Sequence, residues 1–86
     1  MADTLPDVPL IEGQYIDIYA ATGIAVGTRV VIQNKTNGFI RVQESAAQPA
    51  NDSTDGVFVE TKKYVIAIGT NGCWVKGSGD ISVQPV

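Results

Sequence analysis

The chain has 86 residues, a net charge of −3 and no histidine. That length supports one domain with one modest core, and six scattered lysines and arginines do not supply the clustered cations that nucleic-acid phosphates require. No stretch approaches the ~20 apolar residues of a membrane span, and the start Met1-Ala2-Asp3-Thr4 lacks the basic and apolar regions of a secretory signal, so neither nucleic acid, nor a membrane, nor export by that route is expected.

Residues 1–12 carry Pro6 and Pro9, which remove backbone donors and disfavour regular structure. They read as an extended N-terminal arm ahead of a single β domain over residues 13–86. Leu5, Val8, Leu10 and Ile11 offer apolar area for docking on a neighbour; a disordered terminus is the other reading. Gln14–Tyr19 alternates and reads as the first strand, with Ile16 and Ile18 on one face and Tyr15, Asp17 and Tyr19 on the other. A turn at Ala20–Gly23 leads to a longer strand, Ile24–Asn34, in which Gly27 marks a bulge or bend.

Thr36-Asn37-Gly38 reads as the loop of a hairpin, with Gly38 left-handed, Ile32 opposite Val42 and Asn34 opposite Ile40. This register places Arg29, Val31, Phe39 and Arg41 together on the opposite face. Glu44–Gly56 lacks periodicity and is the longest loop. Its run Asn51-Asp52-Ser53-Thr54-Asp55-Gly56 has the oxygen side chains of a calcium loop, but Lys62 stands where the bidentate glutamate belongs, so a plain turn is expected. The sequons Asn34-Lys35-Thr36 and Asn51-Asp52-Ser53 read as polar loop residues.

Val57–Glu60 reads as a short strand and Lys62-Lys63 as a turn. Tyr64–Gly77 then reads as two strands joined by Asn71-Gly72, the strongest two-residue hairpin signal. That turn pairs Ala67 with Lys76, Ile68 with Val75, Gly69 with Trp74 and Thr70 with Cys73. Tyr64, Ile66, Ile68, Cys73 and Val75 form its core face; Val65 and Trp74 lie on the other. Trp74 has two readings: a cover for the second side of the sandwich, or an anchor at a protein contact. Asp80–Gln84 is the last strand. About seven short strands without a helix indicate an all-β fold, a small antiparallel sandwich or barrel.

The chemistry of catalysis is sparse. The missing histidine removes the usual triads and most zinc sites. Cys73 has no base beside it in sequence and reads as a buried small hydrophobe. Neither catalytic residue, cofactor nor metal ligand is expected.

Val31-Ile32-Gln33-Asn34-Lys35-Thr36, Phe39-Ile40-Arg41-Val42, Ser45, Gln48-Pro49, Gly56, Trp74-Val75-Lys76-Gly77 and Ile81-Ser82-Val83 form one pattern over residues 28–84. It resembles the small β-rich structural proteins of tailed bacteriophage virions. The resemblance implies a non-catalytic subunit that decorates or cements the capsid, with the major capsid protein or other virion proteins as partners. It also implies a homo-oligomer in the particle, assembled in the host cytoplasm. A head–tail connector, tail or fibre component is an alternative within that class. A carbohydrate- or receptor-binding module, with Tyr15, Tyr19 or Trp74 as stacking platform, is the alternative outside it. The candidate interface comprises Leu5, Val8, Leu10, Ile11, Val31, Phe39, Val65 and Trp74.

Overall fold

The structure, a computed structural model, describes residues 5–53, 55–68 and 70–86. The first four arm residues, Thr54 of the acidic loop and the expected pairing of Gly69 with Trp74 lie outside the described residues. The chain forms strands β1 (Val8–Leu10) and β2 (Tyr15–Asp17), a short helix α1 (Ile18–Thr22), and strands β3 (Val30–Asn34) and β4 (Ile40–Glu44). Strands β5 (Val57–Val59), β6 (Tyr64–Ala67), β7 (Cys73–Lys76) and β8 (Gly79–Pro85) follow.

Two four-stranded antiparallel sheets result, ordered β1-β8-β3-β6 and β2-β7-β4-β5. The pairings β1·β8, β2·β7, β3·β6 and β4·β5 describe one long two-stranded ribbon. Its tip is the loop 45–56, and it folds so that successive strand pairs alternate between the sheets. This is the topology of a jelly-roll sandwich. The expectation of an all-β antiparallel sandwich therefore holds. Ile32, Ile40, Val42, Val75, Ile81 and Val83 meet between the sheets as part of the core.

Both expected short hairpins are replaced by crossings from sheet to sheet. β3 and β4 do not pair: β3 lies between β8 and β6, and β4 between β7 and β5. Gly38 has no left-handed φ. Val31 lies on the outside of one sheet and Phe39 with Arg41 beside the other, so they form no common patch. Likewise β6 pairs with β3 while β7 pairs with β2 and β4. Asn71 has no positive φ, as type I′ requires, and Gly72 has φ 140°. A Cβ there would sit 2.5 Å from the Ser45 carbonyl oxygen, so Gly72 answers a close backbone approach.

The change of partner inverts the expected faces of β6. Residues directly opposite in a ladder share a face, and Ile32 stands opposite Val65, Val30 opposite Ala67. Since Ile32 and Val30 point into the core, Ala67 is buried and Val65 packs against the core. Tyr64, Ile66 and Ile68 are exposed. Val65 is thus a core-packing residue, not part of an outward patch with Trp74.

The first strand stops early. Asp17 caps α1, its Oδ1 accepting the N–H groups of Tyr19 (3.0 Å) and Ala20 (3.3 Å). Gly23 closes the helix in the left-handed conformation. The alternation expected across Ile18 and Tyr19 is broken, and both are buried. Residues 5–10 of the arm also engage the sandwich. β1 pairs with β8, Val8 opposite Ile81, which buries Val8 and packs Leu10 on the core. Leu5 donates its N–H to Gln84 Oε1. Pro9 is tolerated because β1 is an edge strand. Leu5, Val8 and Leu10 therefore engage their own domain.

Asn34 ends β3 where the ribbon changes sheet, and it is fully buried. Its Oδ1 accepts from the Thr36 N–H (2.8 Å) and hydroxyl (2.6 Å). Its Nδ2 donates to the carbonyls of Gly38 (2.7 Å) and Val59 (2.9 Å). Its backbone donates to Lys63 O and accepts from Lys62 N–H. The first sequon is therefore a buried corner, not a polar loop. Asn34→Ala leaves the Thr36 N–H and the Val59 carbonyl without this partner, at about 1–3 kcal/mol each where water cannot enter, while the Gly38 carbonyl keeps the Thr36 hydroxyl. The expected loss is at least about 2 kcal/mol, read as a lower urea midpoint at unchanged slope.

Candidate protein-interaction surface

The outer face of the β2-β7-β4-β5 sheet carries a cross-strand row, Tyr15–Lys76–Arg41–Phe58. Beside it run Asp17, Trp74 and Gln43. The ribbon tip folds back over half of this face. Tyr15 donates its hydroxyl to Ser53 O (2.9 Å), and Gln48 Nε2 donates to Tyr15 O (2.9 Å). Trp74 Nε1 donates to Ser45 O (2.9 Å), Ser53 Oγ to Gln43 Oε1 (3.1 Å) and Lys76 Nζ to Asn51 O.

Trp74 consequently lies outside the main core, as its register implied, but half-buried under its own chain. Tyr15 is buried beneath the same loop. Tyr19 is buried on α1, its hydroxyl within 2.7 Å of Thr28 O and 3.0 Å of Ile68 O. Neither tyrosine offers a ring face to a ligand.

The other half of the face is open. Phe39 is 59% exposed and Phe58 55%. Their rings meet edge to face, with centroids 4.9 Å apart and planes at 82°. The Arg41 guanidinium lies 3.8 Å from the Phe58 ring centroid, a cation–π contact. A cleft of about 390 Å³ adjoins them, lined among others by Phe39, Arg41, Lys76, Asp52 and Glu12. The open surface continues past β5 to β6. A second cleft, of about 400 Å³, lies there between Val57 and the residues Val65, Ile66 and Ala67.

The two sides of the sandwich thus differ. α1 packs on β1, β2 and β7 and closes one side, while exposed Phe39, Val57, Phe58, Tyr64, Ile66 and Ile68 lie toward the β5 and β6 edges. Of the sequence-derived interface residues, Phe39 falls on this open surface. Val31 is half-buried on the outer face of the other sheet, and Ile11 is exposed before β2. Phe58 was not anticipated. Its position next to Arg41 follows from the β4·β5 pairing, which spans the longest loop and leaves no local sequence signal.

Cys73 is buried between the sheets, and burial, then the charges of Glu44 and Asp17, push its thiol up to about 12. A thiol held protonated is a poor nucleophile. Burial, followed by Cys73, Glu44 and Asp17, also raises the Tyr19 hydroxyl. Among the described residues no three His, Cys, Asp or Glu side chains are grouped to hold a metal ion, and no helix is long and apolar enough to cross a membrane. No family model, curated protein or solved structure matches the chain.

Two outcomes follow. Because the folded thiol titrates above its unfolded value near 9, Cys73 contributes stability that is complete below pH 9 and lost as pH rises toward 12. Cys73→Ala should flatten part of that alkaline limb in denaturation midpoints, and a thiol reagent should label the native wild type far more slowly than the unfolded chain. Trp74→Phe retains a ring but loses the bond to Ser45, costing about 1 kcal/mol. Limited proteolysis should then cut within residues 45–53 faster than in the wild type; equal cutting rates would mean that Trp74 does not hold the loop.

Proposed function

We propose that the protein is a non-catalytic structural subunit of a bacteriophage virion, a capsid-decorating or cement module that docks on coat protein through Phe39, Phe58 and Arg41. One observation carries this reading. Trp74, Tyr15 and Tyr19 are all covered by the chain itself, whereas Phe39 and Phe58 stand exposed as a preformed pair under Arg41. Rigid aromatic and arginine side chains ordered before contact are the groups that dominate binding energy. The resemblance of residues 28–84 to small virion proteins supports the same reading. Jelly-roll sandwiches serve viral capsids, lectins and cupins alike, so the fold is compatible with this role and does not assign it.

The mechanism is burial of the phenylalanine pair at a seam between coat subunits, with Arg41 holding the Phe58 ring in place. A single small contact binds weakly, and many copies on one lattice gain by avidity. The test is binding of the purified protein to phage heads assembled without it, with separated tails as the comparison. Phe58→Ala should leave the circular dichroism spectrum unchanged and weaken head binding about 30-fold, equivalent to about 2 kcal/mol. Glu60→Ala, on the following turn, should bind as the wild type does. Head binding undiminished in Phe58→Ala removes this surface as the contact, and binding to tails alone moves the subunit to the connector or tail.

A further inference from the structure

We propose that β6 pairs with β6 of a second copy of this chain across a two-fold axis, joining two four-stranded sheets into one continuous antiparallel sheet.

The argument begins with backbone direction. In an antiparallel ladder alternate residues turn both N–H and C=O to the same neighbour. The Asn34 N–H donates to Lys63 O, so Lys63 faces β3, as do Val65 and Ala67. Tyr64 and Ile66 then direct their N–H and C=O groups away from β3, to the open edge of the sheet.

Edges are normally blunted by proline, charge, bulges or brevity. β1 carries Pro9, β2 runs directly into α1, and β5 has three residues. β6 is also short, at four residues, but Tyr64–Ala67 contains neither proline nor a charged side chain. Its flanking outer face is apolar instead: Tyr64 is 65% exposed, Ile66 45% and Ile68 57%.

The register is then determined. Outer residues must oppose outer residues, because a one-residue slip would set a core side chain against solvent. Of the allowed registers, the one centred on Ile66 makes the most apolar contact. Ile66 opposes Ile66 of the second copy, Tyr64 opposes Ile68 of the second copy, and on the inner face Val65 opposes Ala67 of the second copy. Charge selects the same arrangement. Lys62 and Lys63 stand at one end of the strand, so antiparallel pairing carries the two lysine pairs to opposite ends of the joint. A parallel pairing would stack them. Shifting the register toward the lysines sets Lys62 against Ile68 of the second copy.

The joint is short and belongs with interfaces below about 1,200 Å², which form weakly. Self-association should therefore rise steeply with concentration, as on a crowded lattice. The inference stands apart from the coat-docking reading, because Phe58 and β6 lie on different sheets.

Sedimentation of the full chain from about 10 μM to about 1 mM, the range of weak association, should show a monomer–dimer equilibrium. Ile66→Lys should hold the protein monomeric while its thermal unfolding stays close to that of the wild type, since the side chain points outward. Ile66→Cys tests the register. A hydrogen-bonded antiparallel pair sets the two Cα atoms about 5.5 Å apart, within the disulfide range. Oxidised glutathione, itself reduced in the exchange, should link Ile66→Cys into a covalent dimer. It should leave Ser82→Cys, on the interior strand of the same sheet, unlinked, and the buried Cys73 does not compete. A wild type that stays monomeric throughout, or an Ile66→Cys protein that links no faster than Ser82→Cys, overturns the proposal. So does a monomeric wild type whose Ile66→Lys variant loses head binding, because the edge would then receive a strand of another protein.

Discussion

Asn34 holds the point at which the ribbon leaves one sheet for the other. An asparagine side chain has two donors and two acceptor lone pairs, and here all four are engaged inside a closed environment. Its partners come from the β3–β4 corner and from the end of β5; its backbone takes the β5–β6 turn. One residue therefore fixes three segments against each other. The Thr61 hydroxyl adds a bond to Thr36 O across the same junction. A buried network of this kind is favourable only when complete, since each open valence is costly at low dielectric. No buried side-chain polar atom among the described residues lacks a partner. The demand for completeness is what gives the corner one geometry.

That corner explains why the sequence was legible in parts. Alternation identified the inward residues of β3, β4 and β7, because Ile32, Ile40, Val42 and Val75 face the core whichever strand lies beside them. Pairing was not legible. Asn37-Gly38 and Asn71-Gly72 report a chain that reverses, and reversal within one sheet and passage to the other begin with similar residues. In this topology only the 45–56 loop joins consecutive strands of a single sheet, so every compact turn that resembled a hairpin was a crossing. The faces of β6 failed for a related reason. Tyr64, Ile66 and Ile68 outweigh Val65 and Ala67 in apolar size, but the register with β3 decides which set enters the core. At the first strand, Asp17 and Gly23 carried helix-capping signals that an alternating pattern concealed.

The candidate surface was less legible than the fold. Phe39 and Trp74 stood out as aromatics beside turns, yet they have opposite fates. Trp74 has an indole N–H, and the carbonyl of Ser45 draws the ribbon tip over it. Phe39 has no such group, and its ring stays exposed. The difference depends on where 45–53 comes to rest, which is set by several long-range bonds from Tyr15, Gln43, Gln48 and Lys76. None of these leaves a local pattern. The same loop makes Tyr15 a buried support and leaves the aromatic surface at one end of its sheet.

A small sandwich has two lateral openings, and this chain has the means to close one. α1 is a single turn of helix, yet it buries Ile18 and Tyr19 and lets the Tyr19 hydroxyl reach the carbonyls of Thr28, ahead of β3, and Ile68, just after β6. On the other side the chain passes from β5 to β6 through a turn so tight that Lys62 adopts φ 67°, a conformation costly for a residue with a side chain. A longer connection would have residues with which to cover the edges; this one has none. The cleft between β5 and β6 and the apolar side chains around it are thus consequences of the corner that Asn34 imposes. The surface open to partners is the part of the sandwich that the described residues, folded this way, leave uncovered.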